Sequence, residues 1–250
     1  MLKYLTYPLK SVGAYSIFLC SMFSNRVKWK IYFQQIIDEC IDIGIRSLTI
    51  VVIVSIFMGA VTCIQISYNL KSPFVQDFLV GYGVRNMVIL ELAPTIMAII
   101  FAGKVGSNIA SQLGSMRITE QIDALEVMGI NPTTYLVLPK ILASILMYPL
   151  LVILSGTLSI YSGYLAAKFV LPMAAEDYIY GIRLMFEPYT IQFAIYKSLA
   201  FAFLVSSIAA YKGFYVFGGA VAVGRASTEA VTNSCIAILA ADYVLTQLLL

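Results

Sequence analysis

The sequence predicts an all-α fold that crosses a membrane several times, on three observations. Apolar residues make up 60% of the 250 and charged residues only 12%, about half the charge of an ordinary soluble domain. The apolar runs are continuous and approach the roughly 20 residues a helix needs to cross hydrocarbon, without the ten-residue alternation of membrane strands. Three of five long runs each hold a single ionisable residue, Glu91, Lys197 and Asp242. A charge at the bilayer centre costs roughly 2.5–3.5 kcal/mol on insertion scales, so such residues persist inside bundles, in pairs or along polar paths.

The elements follow in order. Residues 1–38 carry Lys3, Lys10, Arg26, Lys28 and Lys30 around an apolar stretch from Val12 to Phe23. No small-x-small cleavage site closes that stretch, which favours an interfacial amphipathic helix over a removed leader. The first span is expected between Arg46 and Lys71, and the second between Arg85 and Lys104, with its helix continuing as far as Leu113. The third is uncharged from Ile141 to Ala167; the fourth runs from about Thr190 to Tyr211, and the fifth from Ala230 onward. With the N-terminus inside, Lys3, Lys10, Arg26, Lys28, Lys30, Arg46, Lys104, Arg117, Lys140, Lys212 and Arg225 fall on the inner side, against Lys71, Arg85, Lys168 and Arg183 outside. That asymmetry predicts a cytoplasmic N-terminus and a periplasmic C-terminus. No repeat or linker divides the chain, so one domain over 1–250 is expected, with a bundle over 39–250.

Composition removes several kinds of chemistry. The chain has no histidine, and with it go the commonest general base and metal ligand. Cys20, Cys40, Cys63 and Cys235 are scattered and form no CxxC pair, so neither a zinc site nor a redox couple is supported. No basic run interleaved with aromatics points to nucleic acid, and no G-x-x-x-x-G-K-[ST] phosphate loop occurs.

Two connecting segments carry more information. Between spans two and three, Thr119 can cap a helix with Glu120 in its first turn, and Gly129 and Pro132 stop it. The resulting helix of roughly ten residues, about 119–129, is too short to span. Glu120, Asp123 and Glu126 form an acidic stripe on it beside an apolar stripe of Ile122, Leu125 and Met128, with Gln121 at its start. Such a helix suits docking to a cytoplasmic partner and equally suits rest on the chain's own surface. Upstream, Gly103, Ser107 and Ser111 share one face and Gly106, Ala110 and Gly114 another, a pattern that lets helices approach closely. Before span five, Gly218, Gly219 and Gly224 allow a tight turn or an anion nest, with Ser227 or Thr228 capping the last helix. Glu91, Lys197 and Asp242 read either as a structural ion pair fixing register, as groups near the interface, or as a polar site in a conducting cavity.

The run GSMRITEQIDALEVMGINPTTYLVLPKILA (Gly114–Ala143) resembles the signature of the MlaE (YrbE) family. YKGFYVFGGAVAVGRASTEAV (Tyr211–Val231) is similar to the family's glycine-rich stretch before its last helix, and GIRSLTIVVIVSIFMGAVTCIQISYNL (Gly44–Leu70) to its first membrane segment. The resemblance implies a non-enzymatic permease subunit of an ABC transporter that moves phospholipids between envelope membranes from the bacterial inner membrane; a plastid origin fits the sequence as well. It implies a homodimer, two cytoplasmic ABC ATPase subunits that carry the ATP and Mg, and a periplasmic lipid-binding protein of the MCE type. This chain would need no cofactor or metal. Glu120, Gln121, Ile122, Asp123, Leu125, Glu126 and Met128 would form the ATPase-coupling helix; Glu91, Lys197 and Asp242 would line the lipid cavity; and Gly103, Gly106, Gly114, Gly218, Gly219 and Gly224 would permit close packing. Leu90 stands where many members have arginine, Gln112 where an acid is usual, and Val221-Ala222 where Glu-Gly is common. Alternatives are an ion- or proton-coupled secondary carrier using Glu91, Lys197 and Asp242, for which five spans without a repeat are awkward, and an intramembrane enzyme.

Overall fold

The computed structural model describes residues 13–22, 29–70 and 76–249. Lys3, Lys10, Arg26, Lys28 and Lys71 of the charge count lie outside them. Every regular element among the described residues is helical. A first helix, α1, covers residues 13–21. It is followed by α2 (Trp29–Ile43), a single 3-10 turn (Ile45–Ser47) and α3 (Leu48–Asn69). The next run consists of α4 (Phe78–Met87), a π-helical segment (Val88–Ile96), α5 (Met97–Phe101), a second π segment (Ala102–Gly106) and α6 (Ser107–Ile118). The short α7 (Gln121–Val127) and a third π segment (Thr133–Val137) lead into α8 (Leu138–Phe169), α9 (Ala175–Arg183), α10 (Tyr189–Phe214) and α11 (Ala220–Leu249).

Five helical runs are long and apolar enough to cross a membrane: Tyr32–Asn69, Phe78–Ile118, Thr133–Phe169, Tyr189–Phe214 and Ala220–Leu249. All five expected spans are present, and each helix overruns its apolar interval. Two differences have physical causes. The first run begins well before Arg46, because α2 passes through the 3-10 turn into α3 without a breaker. The last helix starts at Ala220 rather than Ala230, so Ser227 and Thr228 are not caps. Their hydroxyls donate back to the carbonyls of Val223 and Gly224, at 3.0 and 3.1 Å, within the helix.

The chain divides into two compact units, each built from three segments. The first takes its described residues from Met1–Ile43, Phe101–Leu146 and Ala202–Ile238. Here Gly106 faces Val205 and Ala209 of α10, Gly213 lies against the backbone of Ala110, and Gly114 meets Val216 and Val223. The face expected from Gly106, Ala110 and Gly114 is therefore a seam inside this unit. Gly103 on the other face meets nothing within 4 Å. α1 buries Phe18 and leaves Ile17 exposed, and Met22 just after it is buried as well. Phe18 sits among the rings of Tyr211, Phe214 and Tyr215, and Tyr15 bonds Ser207 at 2.6 Å.

The second unit takes its described residues from Gly44–Ile100, Met147–Phe201 and Leu239–Leu250. One seam joins α3 to α8 through small residues four apart: Ser55 and Gly59 against Ser155 and Ser159. The Ser55 and Ser155 hydroxyls lie 2.8 Å apart, Ser159 donates to the Ser55 carbonyl at 3.0 Å, and Gly59 abuts the Ser159 carbonyl so closely that a Cβ would clash. A second seam, between α4 and α9, sets Gly81 against the Tyr178 carbonyl and Gly181 against that of Phe78. Tyr178 is wholly buried and donates to the Ile160 carbonyl at 3.1 Å. Burial, with a smaller push from nearby Cys63, raises its phenol well above the ordinary value.

Candidate functional site: a buried ion cluster and a short exposed helix

Pro94 shapes the polar site. It has no N–H and its ring displaces the carbonyl four residues earlier, that of Leu90. The helix widens into the π segment Val88–Ile96 around it, a π-bulge inside a longer helix of the kind often found at functional sites. The Leu90 carbonyl then accepts from Lys197 Nζ at 3.2 Å. Tyr148, fully buried on α8, donates to the Pro94 carbonyl at 2.6 Å.

Lys197 is completely buried on α10. Its ammonium lies 2.9 Å from Glu91 Oε1 and 2.7 Å from Asp242 Oδ1, and 4.8 Å from the centroid of the Phe193 ring. The three donors of the ammonium thus meet three acceptors. Thr95 donates to Asp242 Oδ1 at 3.1 Å and approaches Glu91 Oε2 at 3.5 Å. The three ionisable residues singled out in the sequence therefore form one cluster, with Thr95, Leu90 and Phe193 completing it. These last three gave no signal of their own, since a threonine, a carbonyl and a ring are common in any span. Burial is graded: the Lys197 side chain has no exposure, Asp242 has 18% and Glu91 has 42%. The cluster presents Glu91 outward from a cation held in the interior, and carries a formal charge of −1.

The segment between the second and third runs differs in detail from its expected form. The helix spans Gln121–Val127, seven residues, rather than about ten. Thr119 does not cap it: the Thr119 hydroxyl donates to the Ser115 carbonyl at 2.8 Å and closes α6 instead. Glu120 is not in its first turn but precedes it, in a left-handed conformation with φ 59°. The chain changes direction between α6 and α7 within two residues, Thr119 and Glu120, and the left-handed step of that turn falls on Glu120. The stop at Gly129 is a Schellman arrangement, with Gly129 at φ 76°, its N–H on the Glu126 carbonyl and the Ile130 N–H on that of Leu125.

On α7, Ile122 is fully buried, Leu125 is half-buried and Met128 is 64% exposed, with Val127 beside it at 89%. The apolar stripe thus begins in the interior and ends in the open. Val127 escaped the sequence reading because it lies off that stripe. Among the acids, Asp123 pairs with Arg117 Nη1 at 2.6 Å, while Glu120, Gln121 and Glu126 are exposed. Gly218 takes φ 120° in the turn before α11, whereas Gly219 and Gly224 have nothing within 4 Å. The close approaches at Gly59, Gly81, Gly163, Gly181 and Gly213 were not foreseen. The pairs Ser55/Gly59 and Ser155/Ser159, small residues four apart on apolar helices, were the available signal for one of them. No cluster of metal-ligating side chains occurs among the described residues.

Five apolar helical runs, a buried ion cluster within them and a short connecting helix with an exposed apolar end define a polytopic membrane protein built around an intramembrane polar site. Residues 36–248 match the family described as Permease MlaE. A relative from Rickettsia bellii named "Probable ABC transporter permease protein" is 35% identical over 239 residues, covering 96% of this chain and 92% of the relative. One from Rickettsia prowazekii is 36% identical with the same coverage. The chloroplastic protein TRIGALACTOSYLDIACYLGLYCEROL 1 of Arabidopsis thaliana is 31% identical over 228 residues, or 88% of this chain and 63% of that one. The chain belongs to the MlaE family of ABC transporter permeases.

Proposed function

We propose that this permease subunit moves phospholipid, working as a homodimer with two cytoplasmic ABC ATPase subunits and a periplasmic MCE-type lipid-binding protein in a bacterial inner membrane. The observation that carries the reading is the Lys197 ammonium held wholly inside the apolar helices between Glu91 and Asp242. A charge cluster of this kind is costly in hydrocarbon. It repays that cost where an amphiphile must bring its own polar end into the bilayer. Glu91, as the most exposed member, is the contact for the headgroup. The galactosyl diacylglycerol in the name of the Arabidopsis relative supports a diacylglycerol-based lipid as the substrate.

The homodimer accounts for α11. Of the polar residues exposed along this membrane-length helix, Glu229 pairs with Lys212 at 2.8 Å and Thr228 and Thr232 donate to carbonyls of their own helix, which leaves the Asn233 amide to be stabilised by a facing helix rather than by lipid. The chain contributes no nucleotide motif, so ATP and Mg belong to the partner. On this reading α7 is the coupling helix: Val127 and Met128 enter the ATPase surface, while Glu120, Gln121 and Glu126 flank them. Closure of the ATPase pair displaces α7, and the connected runs narrow the cavity and expel lipid. The N-terminus is cytoplasmic and the C-terminus periplasmic.

The test replaces Glu120 and Asp123 together by lysine in the reconstituted complex. The double variant should assemble yet lose ATP-driven lipid transfer, while Arg117→Ala, which frees Asp123 without reversing its charge, keeps most of it. Normal transfer by the double variant would refute the coupling role. A secondary carrier is the second reading, favoured by the same cluster of two carboxylates on a buried lysine. It requires transfer to persist when ATP is depleted and a proton gradient is maintained.

A further inference from the structure

The connector that leaves α7 is bonded to the two N-terminal helices of its own unit. A helix leaves its last carbonyls without partners, and those at the end of α1 find theirs on this connector. The Asn131 amide donates to the Ser21 carbonyl at 3.1 Å, and the Thr134 hydroxyl to that of Met22 at 3.0 Å. The Ser21 hydroxyl reaches that of Thr133 at 3.2 Å. Asn131 also caps the chain ahead of it: its Oδ1 accepts from the N–H and the hydroxyl of Thr133, at 3.1 and 2.6 Å.

The same stretch holds α2. The Tyr32 hydroxyl donates to the Thr134 carbonyl at 2.7 Å. About two helical turns further on, and so on the same face of α2, Glu39 pairs with the Lys140 ammonium, which also donates to Gln112 Oε1 of α6 at 2.8 Å. Thr134 and Lys140 are both buried. Among the described side chains of α2 only Ile43 is buried, so polar bonds and not an apolar seam fix this helix. Its outer side carries Phe33, Ile37 and Ile41, four apart and exposed, with Gln34 and Asp38 alongside. Apolar and polar flanks side by side suit a helix seated at a membrane surface.

α7 has few holds of its own. Ile122 is its single buried side chain, and the Asp123–Arg117 pair ties its first turn back to α6. At its exit only Gly129 and Ile130 separate Met128 from Asn131, and Gly129 stands at φ 76°. Glycine is the residue at which a backbone yields most readily. A force applied to α7 from outside is therefore either taken up by rotation at Gly129 or met by the bonds that begin at Asn131.

We propose that α1 and α2 form a fixed stay for α7, with Asn131, Thr134 and Lys140 as its positioning residues. The clasp holds the outgoing end of α7 to helices seated at the membrane surface, so that displacement of α7 passes into α8 and is not lost in the connector. In its functional part this inference rests on the reading of α7 as the coupling helix. The clasp itself is a property of the chain alone.

The experiment combines Tyr32→Phe with Thr134→Val, which removes two of the bonds at little change of volume, and adds Asn131→Asp as a separate variant. The aspartate still accepts from Thr133 but has no donor for the Ser21 carbonyl. Amide exchange is followed over Ala124–Ile130 of the full chain in detergent, a stretch that none of the substitutions touches. It should quicken about tenfold in both variants, as a loss of about 1.4 kcal/mol would give, and return in Tyr32→Phe with Thr134→Ser. In vesicles with the ATPase, the double variant should hydrolyse ATP yet move several-fold fewer fluorescent phospholipids per ATP, and serine at 134 should restore the ratio. Unchanged exchange in α7 would overturn the clasp. Transfer and hydrolysis falling in equal proportion would overturn the positioning role in favour of a general loss of structure. A wild-type chain that moves no lipid under ATP would sink the transport reading instead, and the exchange result would still decide the clasp.

Discussion

Lys197 has every bond an ammonium can make, and that is why its burial is tolerated. Removing the ammonium leaves Glu91 and Asp242 facing each other with their shared counter-charge gone. Lys197→Met should destabilise the chain by about 3–5 kcal/mol, the usual cost of orphaning a buried charge, read as a loss of thermal stability in detergent. The variant Lys197→Met with Glu91→Gln and Asp242→Asn removes the unpaired charges and should recover most of that loss. An equal loss in single and triple variants would mean that packing around Lys197, and not charge balance, sets its contribution. The three candidates for this cluster were legible in the sequence, because an ionisable residue in an apolar run is expensive; that they meet in one site was not, since each could equally have reached the interface. The Leu90 carbonyl was not, since its availability follows from the π widening at Pro94, which only three-dimensional strain relief determines.

Among the elements, the seams between helices rest on glycines where a side chain has no room. At Gly59 and Gly181 an added Cβ would fall on the backbone carbonyls of Ser159 and Phe78. Gly59→Leu and Gly181→Leu should each cost at least about 1–3 kcal/mol through overpacking, whereas Gly219→Ala, with open space around it, should leave stability nearly unchanged. Thermal melts of the three variants check this, and equal melting temperatures would show that the seams yield. The α6–α7 turn makes a separate prediction. Glu120 sits at φ 59°, so Glu120→Gly should stabilise the turn by roughly 1 kcal/mol, seen as slower amide exchange at Thr119–Ile122. Sequence reading located α7 through its stop at Gly129 and missed its start. Thr119 fits two roles equally, and only its bonds to the Ser115 carbonyl assign it to α6. The helix α9 was missed entirely. Its acids at the start and Arg183 at the end are ordinary helix signals, but nine residues between two spans were absorbed into a loop.

At the scale of the whole molecule, the family assignment rests on a match over residues 36–248 and on relatives that align with almost the entire chain. The five-span plan was legible because membrane-length apolar runs admit few other structures. The division into two units was not, since α8, α10 and α11 each supply residues to both and no linker marks a boundary. The proposed assembly makes one prediction at this scale. A cysteine placed at Asn233, on the exposed polar face of α11, should form a symmetric disulfide or short-linker cross-link between two copies, while one at Ile53 on α3 should not. A monomer at both positions would contradict the homodimer.

The central claim is that the chain moves phospholipid under the control of a separate ATPase. Its most direct test is mild-detergent purification of the tagged chain from its native membrane, with bound proteins and lipids identified by mass spectrometry. The account predicts recovery of an ABC ATPase, an MCE-type protein and phospholipid, with the ATPase retained by the Glu120→Lys, Asp123→Lys double variant but ATP-driven transfer lost. Recovery of the chain alone, free of ATPase and of lipid, would contradict it.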